Sequence, residues 1–543
     1  MTQREWSLVE VHDVISAAVP ERDMLVCGDV RRTFGEVAAR SRGLAAHLRA
    51  AGIGIRQERS AIERWEAGQD TVALVLHNGT EYVESMLGAY RARSAPFNVN
   101  QHYRPAEIAA LFADLDPRAV IYHRSLGPLV AEAVATEGLV LVHVEDGSDV
   151  EPLPGSTPFE TAVATPVDEP LPASSPDDLY VVCTGGTTGK PKAVLWRQAD
   201  VYVSAMGGSD EATEETIASA ALNGGGAWFA MPPLMHGSAQ WTTFGGLHQG
   251  ATVVIHDDRG SFDAATVLSI AEREKVRLLT IVGDAHARPI VEELQQGRYD
   301  LSSLAILATG GAATNEQHKV DLLELLPTLT IVDGYGASET GGMAFAARSR
   351  GGKAAGFNPA AGAAVIADDR TRFLEPGTDE VGWTARRGRV PLGYLKDRAK
   401  TEATFPIIDG ERVSVPGDRA RLLADGSIEM LGRDSLVINT GGEKVFVEEV
   451  EEVLRRHPAV DDALVVGRPS ERFGQEVVAV VALRPGASVE PAELRAAVAE
   501  EIARYKAPRA IAFADQVRRL ANGKADYGWA REVAAEAEPA VGR

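Results

Sequence analysis

Two cysteines, Cys27 and Cys183, are all that 543 residues supply. They are too few for a disulfide framework or a four-ligand zinc site, so a bound metal should be held by oxygens, and a reducing compartment is expected. No uninterrupted apolar run approaches the length of a membrane span. Residues 1–22 mix acids, bases and apolar side chains without the basic head and apolar core of a secretory signal. We therefore expect no integral membrane segment and a cytoplasmic location. Basic residues are also short: 55 Lys and Arg stand against 77 Asp and Glu, a formal net charge of −22. Such a surface repels nucleic acid and anionic lipid, which leaves small molecules or proteins as partners.

What is present is ordinary globular material, 45% hydrophobic and 24% charged, in a chain longer than one hydrophobic core usually organises. At least two domains are expected. Helical spacing over 34–51 and 81–92 brackets a short apolar strand at 71–76, which is α/β organisation. The charged stretch 56–69 reads as an exposed helix or loop, and the Pro-, Ser- and Thr-rich stretch 149–178 as a surface connection. Strand-like runs at 179–183, 252–256, 278–282, 304–308 and 329–332, separated by helical stretches, predict a large body of several, mostly parallel sheets. Ligands should sit at the ends of those strands. After residue 433 the texture changes to a compact α+β unit, with helices near 447–454 and 491–504 and strands near 463–467, 477–483 and 510–514. The expected domains are therefore 1–433, a large body, and 434–543, a small α+β unit.

Chemistry concentrates first in Thr184-Gly185-Gly186-Thr187-Thr188-Gly189-Lys190-Pro191-Lys192, where a buried-strand pattern ends in glycines, hydroxyls and lysines. Such a loop offers main-chain N–H groups, hydroxyl donors and cations to a polyphosphate. It is not a Walker A loop, because Thr184 stands where its first glycine belongs and Pro191 where its magnesium-binding hydroxyl belongs. A second segment, Asp333-Gly334-Tyr335-Gly336-Ala337-Ser338-Glu339-Thr340-Gly341, also follows an apolar strand. Its ring can stack on a base, Ser338 can bond a phosphate, and Glu339 can hold Mg²⁺. Thr340 occupies the place of the last glycine of a nucleophile elbow, so a serine hydrolase is not indicated.

Together these segments resemble the adenylate-forming superfamily of acyl-CoA synthetases, luciferases and peptide-synthetase adenylation domains. Met231-Pro232-Pro233-Leu234-Met235-His236-Gly237, Ser414-Val415-Pro416-Gly417-Asp418, Leu431-Gly432-Arg433 leading to Gly441-Gly442-Glu443-Lys444-Val445, and Asn522-Gly523-Lys524-Ala525-Asp526-Tyr527 agree in order, so the resemblance covers almost the whole chain. The Thr-Gly-Gly-Thr-Thr-Gly wording, Pro96-Phe97-Asn98-Val99-Asn100 and Gly283-Asp284-Ala285-His286-Ala287-Arg288-Pro289 look like bacterial fatty-acyl and steroid side-chain CoA ligases.

The resemblance implies two half-reactions with ATP, Mg²⁺ and CoA. A carboxylate attacks the α-phosphorus to give an acyl-adenylate and pyrophosphate, and a CoA thiol then displaces AMP. It also implies roles. Thr184, Thr187, Thr188 and Lys192, with Gly185, Gly186 and Gly189, would hold phosphates. Gly310, Gly311, Ala312, Asp333, Gly334, Tyr335, Gly336 and Ser338 would surround the nucleotide, and Glu339 would hold the metal. Asp418 would accept the ribose hydroxyls with help from Arg433, and Lys524 would bridge carboxylate and phosphate. His236, Gly237 and Asp284 would line the acid pocket, although a carboxylate there is unfavourable unless it meets a polar or cationic group. Ser435 would be the hinge of the small domain, bringing Gly441, Gly442 and Lys444 to the CoA channel. A homodimer is among the assemblies the resemblance allows.

Two departures stand out. Gly185 removes a hydroxyl that many relatives have, and Ala193 adds a methyl group where they have glycine. They point toward a specialised member. The leading reading is an AMP-forming acid–thiol ligase acting on a hydrophobic carboxylic acid. The alternative is a secondary-metabolism adenylating enzyme with another acceptor, such as an ATP-dependent diazotase activating nitrite against an arylamine. Retention of Glu339, Asp418 and Lys524 argues against a catalytically idle nucleotide-binding relative.

Overall fold

Apolar runs flanked by helices become strands buried on both faces. In the computed structural model, which describes residues 4–185, 191–312, 314–352, 356–433, 436–440, 443–470, 474–520 and 524–537, Thr71–Val75 is buried throughout. It pairs in parallel with Ala95–Asn98 on one side and Pro117–His123 on the other, and Val140–Val144 and Thr157–Pro158 extend the sheet. Helix Phe34–Ala50 packs against helix Thr80–Arg91. Its start is set by a capping box in which Thr33 and Glu36 bond each other's main-chain N–H groups.

A second sheet runs in the order Asn358–Pro359, Gly341–Ser349, Thr330–Ala337, Ile306–Gly310, Val276–Ile281, Ala227–Ala230, Thr252–Ile255, Asp23–Cys27, Val30–Thr33. Its interior is parallel, as expected, whereas both edges are closed by antiparallel hairpins. The last two strands, Asp23–Cys27 and the edge strand Val30–Thr33, come from far away in the chain, which no local pattern announces. Leu179–Gly185 and Pro191–Arg197 form an antiparallel hairpin extended by Gly393–Tyr394. Ala363–Ile366, Gly382–Arg386, Asp418–Leu422 and Ile428–Arg433 make a further antiparallel sheet.

Two connections are more structured than their composition suggests. The proline-rich 149–178 stretch contributes strand Thr157–Pro158 and helix Phe159–Val163. The charged 56–69 stretch is a loop with a single 3₁₀ turn, Arg59–Ala61. It is pinned by Arg56 to Asp70 at 2.7 Å and by Glu58 to Arg93 at 2.9 Å.

The C-terminal unit is a sheet of Glu443–Val445, Ile438–Thr440, Gly474–Leu483 and Val460–Ser470, with Ala510–Ala514 parallel to Gly474–Leu483. Strand alternation divides its core in two. Ala463 and Val465 pack with Val450 and Leu454 of helix Val447–Arg456, while Leu464 and Val466 pack with Ala530 and Ala534 of helix Tyr527–Ala535. The helix expected over 491–504 ends at Glu501. The architecture is thus α/β, a large body of partly parallel sheets with a smaller α+β domain. Arg288 of the body meets Asp461 of that domain at 2.5 Å.

Candidate active site

The phosphate-loop candidate is the tip of the Leu179–Gly185 and Pro191–Arg197 hairpin. Register partners Thr184 and Lys192, then Gly185 and Pro191, stand at its two feet. Gly186, Thr187, Thr188 and Gly189 lie outside the described residues. Lys192 Nζ is 3.5 Å from Asp397 and 5.5 Å from the centre of the Tyr394 ring, so its charge is held by an exposed carboxylate and a ring face. The Tyr394 hydroxyl donates to Glu339 Oε1 at 2.7 Å. Trp196 Nε1, on the same hairpin, donates to the Ser338 carbonyl at 2.9 Å. Phosphate hairpin and acidic turn are therefore one construction.

That turn joins Thr330–Ala337 to Gly341–Ser349. Buried Thr340 shapes it, accepting the Ala337 N–H at 3.0 Å and donating to the Gly341 carbonyl at 3.0 Å, while Ser414 Oγ donates to the Glu339 carbonyl at 2.5 Å. With both its main chain and one carboxylate oxygen fixed, Glu339 is preorganised. Among the described residues no group of three or more His, Cys, Asp or Glu gathers as a metal cluster. A single carboxylate suits Mg²⁺ brought with a polyphosphate, because that ion is usually held by one or two carboxylates plus substrate oxygens.

The nucleotide candidates line the neighbouring strands. Gly310 is the register partner of Gly334, and a Cβ on Gly310 would fall 2.7 Å from the Gly334 carbonyl oxygen. The Tyr335 hydroxyl donates to Asp418 Oδ2 at 2.5 Å, which aligns ring and carboxylate along one wall. Asp418 is buried and pairs in register with Arg433, whose side chain lies outside the described residues. Asp333 is not a free acid: burial raises its pKa and Lys319, 2.9 Å away, opposes that shift. Gly311 and Ala312 follow Gly310 at the strand's end, and Gly336 continues the wall from Tyr335.

His236 caps helix Gly237–His248, and its buried Nε2 has no hydrogen-bond partner among the described residues. Burial, with the charges of Lys524 and His102, pushes the imidazole down to about 4, so it is neutral at neutral pH. The charge of Lys524, on the C-terminal unit, is thus felt at His236 of the body. The Leu520 N–H donates to the Lys524 carbonyl at 2.8 Å and Arg519 bridges to Ala525, a stem that presents the lysine. Gly237 lies against the phosphate hairpin, where a Cβ would be 3.0 Å from Val182 Cγ2. Asp284 has polar partners of its own. Its Oδ1 accepts the Asn315 N–H and bonds His318 Nδ1, each at 2.8 Å, bracing helix Glu316–Leu325. Burial would raise its pKa, but those bonds and the Arg455 charge outweigh it and hold it ionised.

Of the second-step candidates, Ser435, Gly441 and Gly442 lie outside the described residues. The Lys444 main chain pairs with Asn439 in the C-terminal sheet. Sequence reasoning missed Tyr394, Asp397, Trp196 and Thr340. Tyr394, Asp397 and Trp196 act through contacts made only in the folded state, and Thr340, though inside the 333–341 segment, shapes the turn through bonds its spelling does not announce.

Comparison with known proteins agrees with this geometry. The family model described as AMP-binding enzyme matches residues 14–382, and that described as AMP-binding enzyme C-terminal domain matches 449–524. The medium-chain acyl-CoA ligase Mig of Mycobacterium avium is 47% identical, over 98% of this chain and 99% of its own. A 3-oxocholest-4-en-26-oate–CoA ligase of Rhodococcus rhodochrous is 40% identical, over 95% of this chain and 93% of its own. Among solved structures, the anthranilate CoA ligase AuaEII in complex with anthranoyl-AMP shares the fold with a TM-score of 0.80 at 22% identity, covering 98% of this chain and 97% of that one. With two family models matched in order along the chain and a relative 47% identical over nearly its whole length, the chain belongs to the AMP-binding enzyme family.

Proposed function

We propose that this protein activates a hydrophobic carboxylic acid with ATP and transfers the acyl group to CoA, forming an acyl-CoA and AMP. The observation that carries the reading is that the phosphate hairpin, Glu339 and Asp418 are joined through Tyr394, Trp196 and Tyr335, with the charge of Lys524 felt at His236. The likeness to a medium-chain and a steroid-acid CoA ligase supports a hydrophobic acid and CoA as partners.

In the first half-reaction a carboxylate oxygen attacks the α-phosphorus and pyrophosphate departs. In the second, the CoA sulfur attacks the acyl carbon and AMP departs. Neither step needs a protein nucleophile, so catalysis rests on positioning and on charge placed where the transition state needs it. Thr184 and Lys192 hold the phosphate end, and the Tyr335–Asp418 wall holds the nucleoside. Lys524 supplies a donor between carboxylate and α-phosphate. Mg²⁺, when bound at Glu339, neutralises phosphate charge. Neutral His236 borders the acid without adding a charge that would trap it. The domain boundary belongs between 433 and 434, since the two C-terminal core clusters take no residue from the body, and a reducing cytoplasmic setting fits two unpaired cysteines.

Pyrophosphate release across a panel of medium-chain and alicyclic acids, with CoA, with amines, and with nitrite plus arylamine, tests the reading. Acid- and CoA-dependent turnover is expected. Turnover that needs nitrite and ignores CoA would replace it with diazotisation, and no release with any acid would end it.

A further inference from the structure

Three carboxamides grip the segment that ends at His236. Asn78 Oδ1 accepts the Leu234 N–H at 2.7 Å, and Gln240 Nε2 donates to the Leu234 carbonyl at 2.8 Å. Asn98 Nδ2 donates to the Met235 carbonyl at 2.5 Å. Asn98 has a second set of bonds. Its Oδ1 accepts the Cys183 N–H at 2.7 Å, and its Nδ2 also donates to the Cys183 carbonyl at 2.9 Å. Cys183 immediately precedes Thr184 at the foot of the phosphate hairpin.

One primary amide offers two N–H donors and one acceptor oxygen, and here all are spent on the main chains of two functional segments. The amide satisfies both main-chain groups of Cys183, as a neighbouring strand would, and turns its remaining donor toward the residue before His236. Asn98 is 4% exposed, so water does not replace a bond that breaks. A shift of the hairpin must therefore carry the Met235 carbonyl with it or leave a buried polar group unpaired. Gln240 reaches the same strand only through the Tyr180 hydroxyl, at 2.7 Å and further from the loop. Asn78 runs the other way, its N–H donating to Asp258 at 2.8 Å.

We propose that Asn98 is a positioning residue that transmits nucleotide occupancy of the phosphate hairpin to the His236 loop, so that ATP binding orders the acid site before the acid arrives. The proposal rests on reading 184–192 as the ATP phosphate loop. Coupling of this kind needs a contiguous element that both sites bias, and one buried side chain supplies it.

Hydrogen exchange on the full chain, with and without α,β-methylene-ATP and Mg²⁺, reads the coupling without acid or turnover. In the unmodified protein the nucleotide should slow exchange across 179–185 and, by roughly tenfold, across 231–240. In Asn98→Ala the first protection should persist and the second should vanish. Asn98→Asp keeps the acceptor for Cys183 and forfeits at least one donor, so it should weaken the second protection even if the alanine variant folds poorly. Asn78→Ala should speed exchange of the loop yet leave the nucleotide effect in place. A merely structural role for Asn98 would loosen both regions alike. Nucleotide protection of 179–185 without protection of 231–240 in the unmodified protein, or equal protection of 231–240 in Asn98→Ala, overturns the proposal. Absence of any nucleotide binding would instead overturn the proposed function, which pyrophosphate release decides independently.

Discussion

Lys524 is exposed and follows a polar, glycine-containing stretch of sequence, a setting in which a lysine is ordinarily only solvated. The role proposed for it is that of a donor between carboxylate and α-phosphate. A donor aimed at charge that develops in the transition state is worth roughly 2.7–4 kcal/mol, so Lys524→Ala should slow adenylation by two to three orders of magnitude. Thioester formation from supplied acyl-adenylate should be spared. Separate assays of the two half-reactions check this, and equal loss in both would refute the division of labour. Tyr394 is the complementary case, with no motif around it and yet a hydroxyl that fixes the Glu339 carboxylate. Tyr394→Phe keeps the ring beside Lys192 and removes that bond. A loss of about 1 kcal/mol, roughly fivefold in kcat/KM for MgATP, is expected, with the KM for acid unchanged. A shift in the acid KM alone would place Tyr394 in a different role.

At the scale of elements, the site depends on strands that approach more closely than side chains permit. A Cβ at Gly336 would lie 2.3 Å from the Gly341 carbonyl oxygen, across the turn that presents Glu339. Gly336→Ala must therefore move main chain, not a pliable side chain. Its midpoint of thermal unfolding should fall by a few degrees, an effect of about 1–3 kcal/mol. The KM for ATP should rise at the same time, because Glu339 and Tyr335 flank the displaced residue. Calorimetry and initial-rate kinetics on one preparation test the pair of effects, and unchanged ATP kinetics would separate the turn from nucleotide binding. Helices Phe34–Ala50, Thr80–Arg91, Val447–Arg456 and Pro491–Glu501, and strands such as Thr71–Val75, Thr252–Ile255 and Val276–Ile281, were legible from periodicity, since burial on one stripe or on both faces writes itself into the residue pattern. The antiparallel strands of 363–433 were not. They are short, and their burial comes from partners distant in sequence.

For the molecule as a whole, buried histidines set the response to acid. Burial, aided by nearby charge in several cases, pushes His123, His236, His248 and His286 each down to about 4 from the ordinary 6.5. The folded state keeps them neutral while the unfolded chain takes up protons, so their contribution is complete above pH 6.5 and is lost as pH falls toward 4. Each removes about 1.4 kcal/mol per pH unit within that window. Glu84, raised to about 7 by burial, works in the opposite sense and offsets one of the four. Urea unfolding at pH 7.5 and 5.5 should show a marked loss of stability at the lower pH, and a flat profile would mean that these imidazoles are not held neutral. The sequence by itself determined the family, the α/β class and the identity of the phosphate, metal and lysine candidates, because those signals are local runs whose order survives without coordinates. Only the tertiary structure decided that Asp284 is bonded to Asn315 and His318, that Tyr394 bonds Glu339, and that Asn98 ties Cys183 to Met235. These are contacts between segments far apart in the chain. A single tyrosine or asparagine carries no periodicity, so its role exists only once the sheets have brought its partner within hydrogen-bonding distance.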